Sequence, residues 1–298
     1  MNILQINTCP LCGGHQFKHS LTCKDHYASG ETFELIKCAH CGFICTQGVP
    51  VEAEIGRYYE TPDYISHSDT QKGLMNKVYH WVRHYMLQKK ASLVERVTGL
   101  SKGSILDIGT GTGYFSHTMQ ERGWSVQAIE KSAQARAFAL EHFHLKVQEA
   151  DSLSAIESKS LDAVTLWHVM EHLEHLNETW ERLSAILKDR GVLIVAVPNP
   201  ASYDAAHYQE MRAAYDVPRH LWHFTPSSMK QMGEKHGFRL QEMLPMPFDA
   251  FYVSMLTEKY KGSSCSFLKG AWTGFKAWLH AIRHKELSSS MIYVFKKK

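Results

Sequence analysis

From Gly103 onward the chain alternates strand-like and helix-like segments at short intervals, and this alternation narrows the possible folds more than any other feature. "SILDI" (104–108) reads as a strand, followed by a glycine turn and a helical stretch at 114–122. "SVQAI" (125–129) is a second strand before an alanine-rich helix at 132–143, and "LKVQEA" (145–150) is a third. "LDAVTLW" (161–167) is a fourth, ahead of a helix at 174–188, and "GVLIVAVP" (191–198) a fifth. "FRLQEML" (238–244) and "SMIYVFKK" (290–297) are two late strands. Strands that alternate with helices at this spacing build βαβ units and a parallel sheet. Right-handed crossovers then put helices on both faces. The expectation is a seven-stranded, mostly parallel α/β sheet.

Residues 1–48 have a different texture, rich in Cys and Gly. "CPLCGG" and "CAHCGF" set Cys9, Cys12, Cys38 and Cys41 in two C-x-x-C-G turns. The glycine after each pair lets backbone N–H groups turn toward the thiolates. Four thiolates satisfy tetrahedral Zn2+ and leave no open position, so such a site is structural. A ribbon this small buries little core, and a metal would supply most of its folding free energy. Cys23, Cys45 and His15 are left over and read as packing residues. A redox pair would need a thioredoxin-like βαβ pattern, which does not surround these cysteines.

"NKVYHWVRHYMLQKKASLVERV" (76–97) has the length and apolar spacing of an amphipathic helix, with Trp81, Tyr85 and Val94 as core contacts. The predicted division is therefore a zinc ribbon at 1–48, a helical linker or cap at 49–98, and a core at 99–298 with insertions near 200–225 and 246–286. A hydrophobic content of 44% and a net charge of +3 suit a globular protein with a sizeable core. That charge argues against a nucleic-acid partner, which needs a basic footprint. No apolar run is long enough to span a bilayer. The first residues lack a signal-peptide pattern, and a cytoplasmic location is expected.

The glycine turn reads "ILDIGTGTGYF", with Asp107 ending the strand and Gly109, Thr110, Gly111 and Gly113 following. A dinucleotide fingerprint would be G-x-G-x-x-G. This one is G-x-G-x-G with an acid two residues ahead, which would repel a pyrophosphate and suits the ammonium of an amino-acid ligand. The stretch resembles motif I of class I S-adenosylmethionine (SAM) methyltransferases, in the branch containing quinone and sugar C-methyltransferases. The resemblance implies a Rossmann-like fold. It also implies that Glu130, past the second strand, accepts hydrogen bonds from both ribose hydroxyls, and that Asp151, with Ser152 beside it, meets the adenine amino group. "RYYETPDYISHS" would close over SAM from the N-terminal side through Tyr64 and His67.

"HVMEH" (168–172) has the H-x-x-E-H spacing of a zinc-protease helix, which needs both histidines on one helical face. Here a β-branched strand ends directly before His168, so the protease reading fails on context. In open α/β sheets the carboxyl ends of strands face the ligand crevice. "LWHVMEHLEH" resembles the segment after the fourth strand in the same methyltransferase branch, which places Trp167 and His168 beside the cofactor. Glu171 either caps and packs or lines the substrate side; His172 and His175 read as packing residues.

"YDVPRHLWHFTPSSM" (215–229) ends in a helix start, with Thr225 as N-cap and Pro226 at the first position. The segment resembles the "HL–FT" stretch of this branch, which faces the substrate. A sulfonium is already an activated leaving group, so the protein mainly positions the acceptor and manages its proton. His220 is the candidate base, with Tyr215 orienting it; the competing reading makes His220 a satisfied core histidine. "VPNP" (197–200) follows the fifth strand, not the fourth, and reads as a turn, not as the box of amino-methylating enzymes. The Trp- and Lys-bearing helix near 268–285 either lids the acceptor or packs as core.

A zinc ribbon ahead of this core resembles certain sugar C-methyltransferases, but the chain lacks their extra C-terminal domain and the sugar substrate is not carried over. The expected function is SAM-dependent methyl transfer to an oxygen or carbon of a small-molecule acceptor. The alternatives are RNA or tRNA methylation with the ribbon as a grip, and a non-catalytic zinc-ribbon interaction protein.

Overall fold

A computed structural model describes residues 2–59 and 74–298, with side chains described outside 74–79. The expected contacts of Tyr64 and His67 lie outside the described residues. The N-terminal part contains β1 (Ile3–Leu4), β2 (Phe17–Lys24), β3 (Thr32–Cys38), β4 (Ile44–Gln47) and β5 (Val49–Pro50). The long helix α1 (Leu74–Thr98) leads into β6 (Ser104–Ile108), α2 (Tyr114–Glu121), β7 (Ser125–Ile129) and α3 (Ala133–Phe143). Next come β8 (Leu161–Trp167), α4 (Leu176–Ile186), β9 (Leu187–Pro198), α5 (Tyr203–Tyr208) and β10 (Trp222–His223). The chain closes with α6 (Pro226–Lys235), β11 (Phe238–Pro245), α7 (Asp249–Tyr260), α8 (Ser266–Arg283) and β12 (Ser290–Lys297).

The central sheet runs β11-β12-β9-β8-β6-β7. β6 pairs in parallel with β7 and β8, and β8 with β9, while β12 is antiparallel to both neighbours. Its inner strands read as nearly continuous apolar runs because both faces are covered. Ile105, Leu106, Val164, Leu166 and residues Val192–Val197 are all buried. One expected strand is reduced. Residues 145–150 contribute a single parallel bridge, Ile129 to Gln148. Only Leu145 of that stretch is buried, and Ala150 already begins a 3-10 turn. With one side chain to bury, the segment gains too little from extending the ladder.

The cap helix also differs from expectation. Val94 is buried, but Trp81 is 65% exposed and Tyr85 40%. Ala91, Leu93 and Val94 in its second half pack into the core, while Tyr85 meets Phe248 edge-on and Arg83 lies over the Tyr114 ring.

The ribbon is not an appendage. β4 pairs with β10 from the core, giving a sheet of order β10-β4-β3-β2. Thr46 Oγ1 donates to the His220 carbonyl at 2.6 Å and lies 2.9 Å from His223 Nε2. Arg219, 4% exposed, donates to Asp25 at 3.0 Å, to Asp216 at 2.6 Å and to the Tyr58 carbonyl at 2.7 Å. Asp25 also accepts from the Tyr27, Ala28 and Ser29 backbone N–H groups. Burial raises the Asp25 pKa, but the Ser29 N–H and the Arg219 cation outweigh it, and the net direction is down. Phe43 of the ribbon packs on Trp222 and Phe224 of the core, at 6.1 and 5.3 Å between ring centres.

Removing one member of a buried ion pair strands the other, a loss of about 3–5 kcal/mol. Arg219→Met should therefore lower unfolding free energy by roughly that amount in urea titration. A loss below about 1 kcal/mol would show that the ribbon is held by its apolar contacts alone.

Candidate functional site

The glycine turn joins β6 to α2 and needs glycine for space and for backbone angle. Gly109, Gly111 and Gly113 all have positive φ, at 69°, 56° and 86°. A Cβ on Gly109 would lie 2.3 Å from Val169 Cγ2. The turn is fixed by Gly109 N–H and Thr110 N–H, which both donate to the Ile129 carbonyl at the end of β7.

Asp107 is held by two hydroxyl groups. It is 2% exposed, with Oδ1 accepting from Thr165 at 2.7 Å and Oδ2 from Ser116 at 3.0 Å. Burial raises its pKa, against the pull of those hydroxyls. The carboxylate thus ties the turn to β8 and to α2. Glu130 stands directly after β7, with Oε2 accepting from Gly111 N–H and Oε1 from Ser132 N–H, each at 2.8 Å. Asp151 is exposed in the 3-10 turn after the Gln148 bridge, and Ser152 N–H donates to the Glu149 carbonyl. Asp107 and Glu130 therefore meet around one glycine turn, and Asp151 follows the next strand position outward.

At the end of β8, Trp167 packs edge-on against Phe115, and its indole Nε1 is buried without a partner. Lys90 of α1 lies over the same ring at 4.3 Å. Burial lowers the Lys90 pKa, opposed by Asp249 and Asp107. His168 adopts the left-handed region, φ 57°. Its Nε2 is 3.2 Å from Asp249 of α7 and its Nδ1 3.5 Å from Glu171. Burial opposes its charge, but the two carboxylates prevail and raise its pKa to about 9. Neither Lys90 nor Asp249 is visible as a site residue in the sequence. Each comes from an element far along the chain, and no motif surrounds it.

Residues 170–172 form a 3-10 turn, not the α-helix that a zinc protease would need. Glu171 is 1% exposed and neither of its oxygens has a hydrogen-bond partner. His172 Nδ1 lies 3.0 Å from the Arg219 carbonyl, and His220 Nδ1 3.1 Å from the Ala214 carbonyl. Both rings meet edge-on at 4.5 Å, and His220 Nε2 is 4.0 Å from Glu171. One donor atom from each of Glu171, His172 and His220 falls within 4.8 Å of the others, a set able to take a cation. Burial drives the His220 pKa well down, with His172 and His223 adding to it. Tyr215 and His220 have separate neighbours. The Tyr215 ring packs on His223 at 5.6 Å, and the Ala214 carbonyl holds the His220 ring.

At the other end of the molecule, Cys9, Cys12, Cys38 and Cys41 bring their sulfurs together within 4.8 Å. Cys9 and Cys41 are 3.5 Å apart, and Cys12 and Cys38 3.6 Å. Gly13 and Gly42 carry positive φ, 75° and 77°, as each knuckle requires. Burial raises the Cys38 thiol, but the Cys41 and His40 N–H groups bring it down to about 7. Cys23 and Cys45 are buried apart from this group.

A methyltransferase domain family matches residues 80–243, more than half of the chain, and the chain belongs to it. It is a class I SAM-dependent methyltransferase. The ubiquinone biosynthesis O-methyltransferase of Cupriavidus pinatubonensis (strain JMP 134 / LMG 1197) is 25% identical over 172 residues, covering 52% of this chain and 68% of that protein. The same enzyme from Xanthomonas axonopodis pv. citri (strain 306) is 26% identical over 158 residues, 49% of this chain and 66% of that one. An uncharacterized methyltransferase of Alkaliphilus oremlandii (strain OhILAs) is 26% identical over 108 residues, 35% of this chain and 50% of that one. The chain thus spans between half and about two thirds of these curated relatives. In fold it is similar to geranyl diphosphate C-methyltransferase from Streptomyces coelicolor A3(2), with a TM-score of 0.51, 14% identity, and coverage of 78% of this chain and 88% of that one.

Two outcomes follow from this geometry. Gly109→Ala combines a disfavoured φ with a clash at Val169, a strain on the order of 1–3 kcal/mol; calorimetry should show SAM affinity reduced by about tenfold with the circular dichroism unchanged. For His168, a folded pKa above the unfolded ~6.5 means that its contribution to stability is complete below that pH and is lost as pH rises through about 9. Between these limits the urea midpoint of the native protein should fall more steeply than that of His168→Gln. An NMR titration placing His168 near 6.5 would remove the basis for this.

Proposed function

We propose that this enzyme transfers the SAM methyl group to an oxygen or carbon of a small-molecule acceptor, with the acceptor's reacting atom next to His220 and Glu171. The observation that carries the reading is the buried cluster at the end of β8, where Glu171 has two unpartnered oxygens beside His220. A buried carboxylate that has only ion-pair neighbours, His168 at 3.5 Å and His220 at 4.0 Å, and no hydrogen bond is costly, and an acceptor hydroxyl or acidic carbon placed there would relieve it. The depressed His220 pKa keeps the ring neutral near pH 7, the form in which Nε2 can accept a proton. The Ala214 carbonyl, which takes Nδ1–H, fixes that tautomer.

For the cofactor we assign Gly109, Thr110, Gly111 and Gly113 as the backbone cradle, with Asp107 holding its shape. Glu130 is assigned to the ribose hydroxyls, exchanging its bond to Gly111 for them, and Asp151 with Ser152 to the adenine side. Trp167 and His168 form the wall beneath, and Lys90 and Asp249 complete it. Glu130→Ala should weaken SAM binding by about 2 kcal/mol, or some thirtyfold, as expected for charge-assisted hydrogen bonds. Calorimetry that finds no SAM binding to the native, metal-replete protein would end the methyltransferase reading.

His220→Ala should reduce turnover by at least about 100-fold while SAM affinity holds. Unchanged turnover would move the proton elsewhere. A second reading is favoured by the same unpartnered Glu171: a divalent cation held by Glu171, His172 and His220 in place of a free base. The two are separated by metal content: only the second predicts a further divalent metal per chain beyond the cysteine site, absent from Glu171→Gln while the cysteine-bound metal is kept.

For the four cysteines we infer a structural zinc. Tetrahedral zinc–thiolate bonds of ~2.3 Å require sulfurs a little under 4 Å apart, close to the spacing found for Cys9–Cys41 and Cys12–Cys38. Because β4 of the ribbon carries β10 and the His220 carbonyl, metal loss should reach the acceptor side. Cys12→Ser should lower both the melting temperature and kcat, and one zinc per chain should be found by atomic absorption. A zinc-free protein with native activity would disconnect the ribbon from catalysis. A cytoplasmic location is compatible with the absence, among the described residues, of a helix long and apolar enough to cross a membrane.

A further inference from the structure

The helix α8 is built with its small residues inward and its large ones outward. Gly270, Thr273, Gly274, Ala277 and Ala281 are buried against α7. A Cβ on Gly270 would sit 2.4 Å from Met255 Cα, and one on Gly274 2.7 Å from Phe251 Cα. The two helix backbones therefore meet closely along this seam, and little apolar side-chain area is used to join them.

The large apolar side chains are on the opposite side. Leu268, Trp272, Phe275, Leu279 and Ile282 are 68%, 59%, 37%, 43% and 57% exposed. Their spacing alternates four and three residues. At about 100° per residue this gives a stripe roughly 80° wide, diametrically opposite the α7 seam. A helix that only covered the core would carry polar residues there. A contiguous exposed apolar stripe of this size marks a contact with something else.

The charges on α8 say what that is. Lys269, Lys276 and Arg283 are exposed and recur every seven residues along one flank of the stripe. Lys276 also lies 5.3 Å from the Trp272 ring centre. No Asp or Glu occurs between Ser266 and Arg283; the next acid is Glu286, beside Lys285 and His284. A second copy of the chain fits poorly. However two such helices were paired, no basic residue of this flank would meet an acid on the partner helix, and an antiparallel pair would set the basic flanks against each other.

We propose that α8 is an in-plane anchor for an anionic lipid surface. Leu268, Trp272, Phe275, Leu279 and Ile282 enter the boundary between headgroups and acyl chains, and Lys269, Lys276 and Arg283 meet the lipid phosphates. Basic amphipathic helices with aromatic and leucine faces bind interfaces in this way, through buried apolar area plus attraction to anionic lipid. The stripe is too narrow for a helix surrounded by lipid, so α8 lies in the plane of the bilayer surface. The proposal is independent of which acceptor is methylated.

Vesicle flotation tests it, using the full chain with phosphatidylcholine vesicles and with vesicles that also contain phosphatidylglycerol. The native protein should float with the phosphatidylglycerol vesicles, less so at high salt, with a blue shift in tryptophan fluorescence. Trp272→Ser with Leu279→Ser should reduce that partition by roughly tenfold or more. Lys269→Gln, Lys276→Gln and Arg283→Gln together should abolish the preference for anionic vesicles. All of these side chains are exposed, so circular dichroism and SAM binding should match the native protein. Failure of the native protein to float with either vesicle overturns the anchor. So does light scattering that shows a dimer which the Trp272 and Leu279 changes dissolve, because the stripe would then serve a second copy.

Discussion

The Arg219 guanidinium is the contact on which the arrangement of this molecule depends. It is buried between the ribbon's Asp25, the core's Asp216 and the Tyr58 carbonyl. A charge in that position is tolerable only with its partners in place. The next residue is His220, whose carbonyl accepts from Thr46 and whose ring faces Glu171. Two residues further, Trp222 begins the strand that completes the ribbon sheet and donates its indole N–H to the Leu173 carbonyl. One short segment is thus gripped by the ribbon on one side and by the turn after β8 on the other. The histidine proposed to touch the acceptor has almost no freedom to move.

Much of the core was legible because it obeys local rules. The runs at 104–108, 161–167 and 290–297 are buried along most of their length and are largely apolar, and 125–129 is buried at Ala128 and Ile129. The glycine turn was legible because positive φ at Gly109, Gly111 and Gly113 leaves few alternatives to glycine. The helix start at Thr225 was legible because a threonine hydroxyl before proline can cap the first turn, and its side chain does accept from Ser228 N–H. What stayed hidden depends on distant partners. Residues 145–150 look like a strand but have one side chain to bury. Trp81 looks like core, yet is 65% exposed and stacks on Tyr85 of its own helix. Lys90 and Asp249 reach the site only because α1 and α7 cross over the same strand ends. Tyr215 and His220 are close in sequence, but the turn at 217–219 between them leaves their rings with different neighbours, His223 and His172.

The chemistry gathers at the carboxyl ends of the strands, where a parallel sheet concentrates loops that follow neighbouring strands. β6 supplies the glycine turn, β7 the Glu130 carboxylate, and β8 the run from Trp167 to His172. Gly111 N–H donates to Glu130, and Asp107 accepts from Ser116 and Thr165, so carboxylates brace the turn from two neighbouring strands. The acceptor side differs. The group proposed to face the acceptor is assembled from β8, the strap at 215–224 and α7, three elements far apart in the chain.

The reduced strand at Gln148 has a consequence for how the protein behaves in company. Beyond β7, a full edge strand would offer a row of unpaired N–H and C=O groups to any other chain. A single bridge followed by a 3-10 turn offers almost none. At the opposite border β11 carries a bulge between Leu240 and Glu242, charged Arg239, and Pro245 at its end. Both margins of the sheet are therefore poor templates for further strands, which guards a wide, strongly apolar sheet against edge-to-edge aggregation at high concentration.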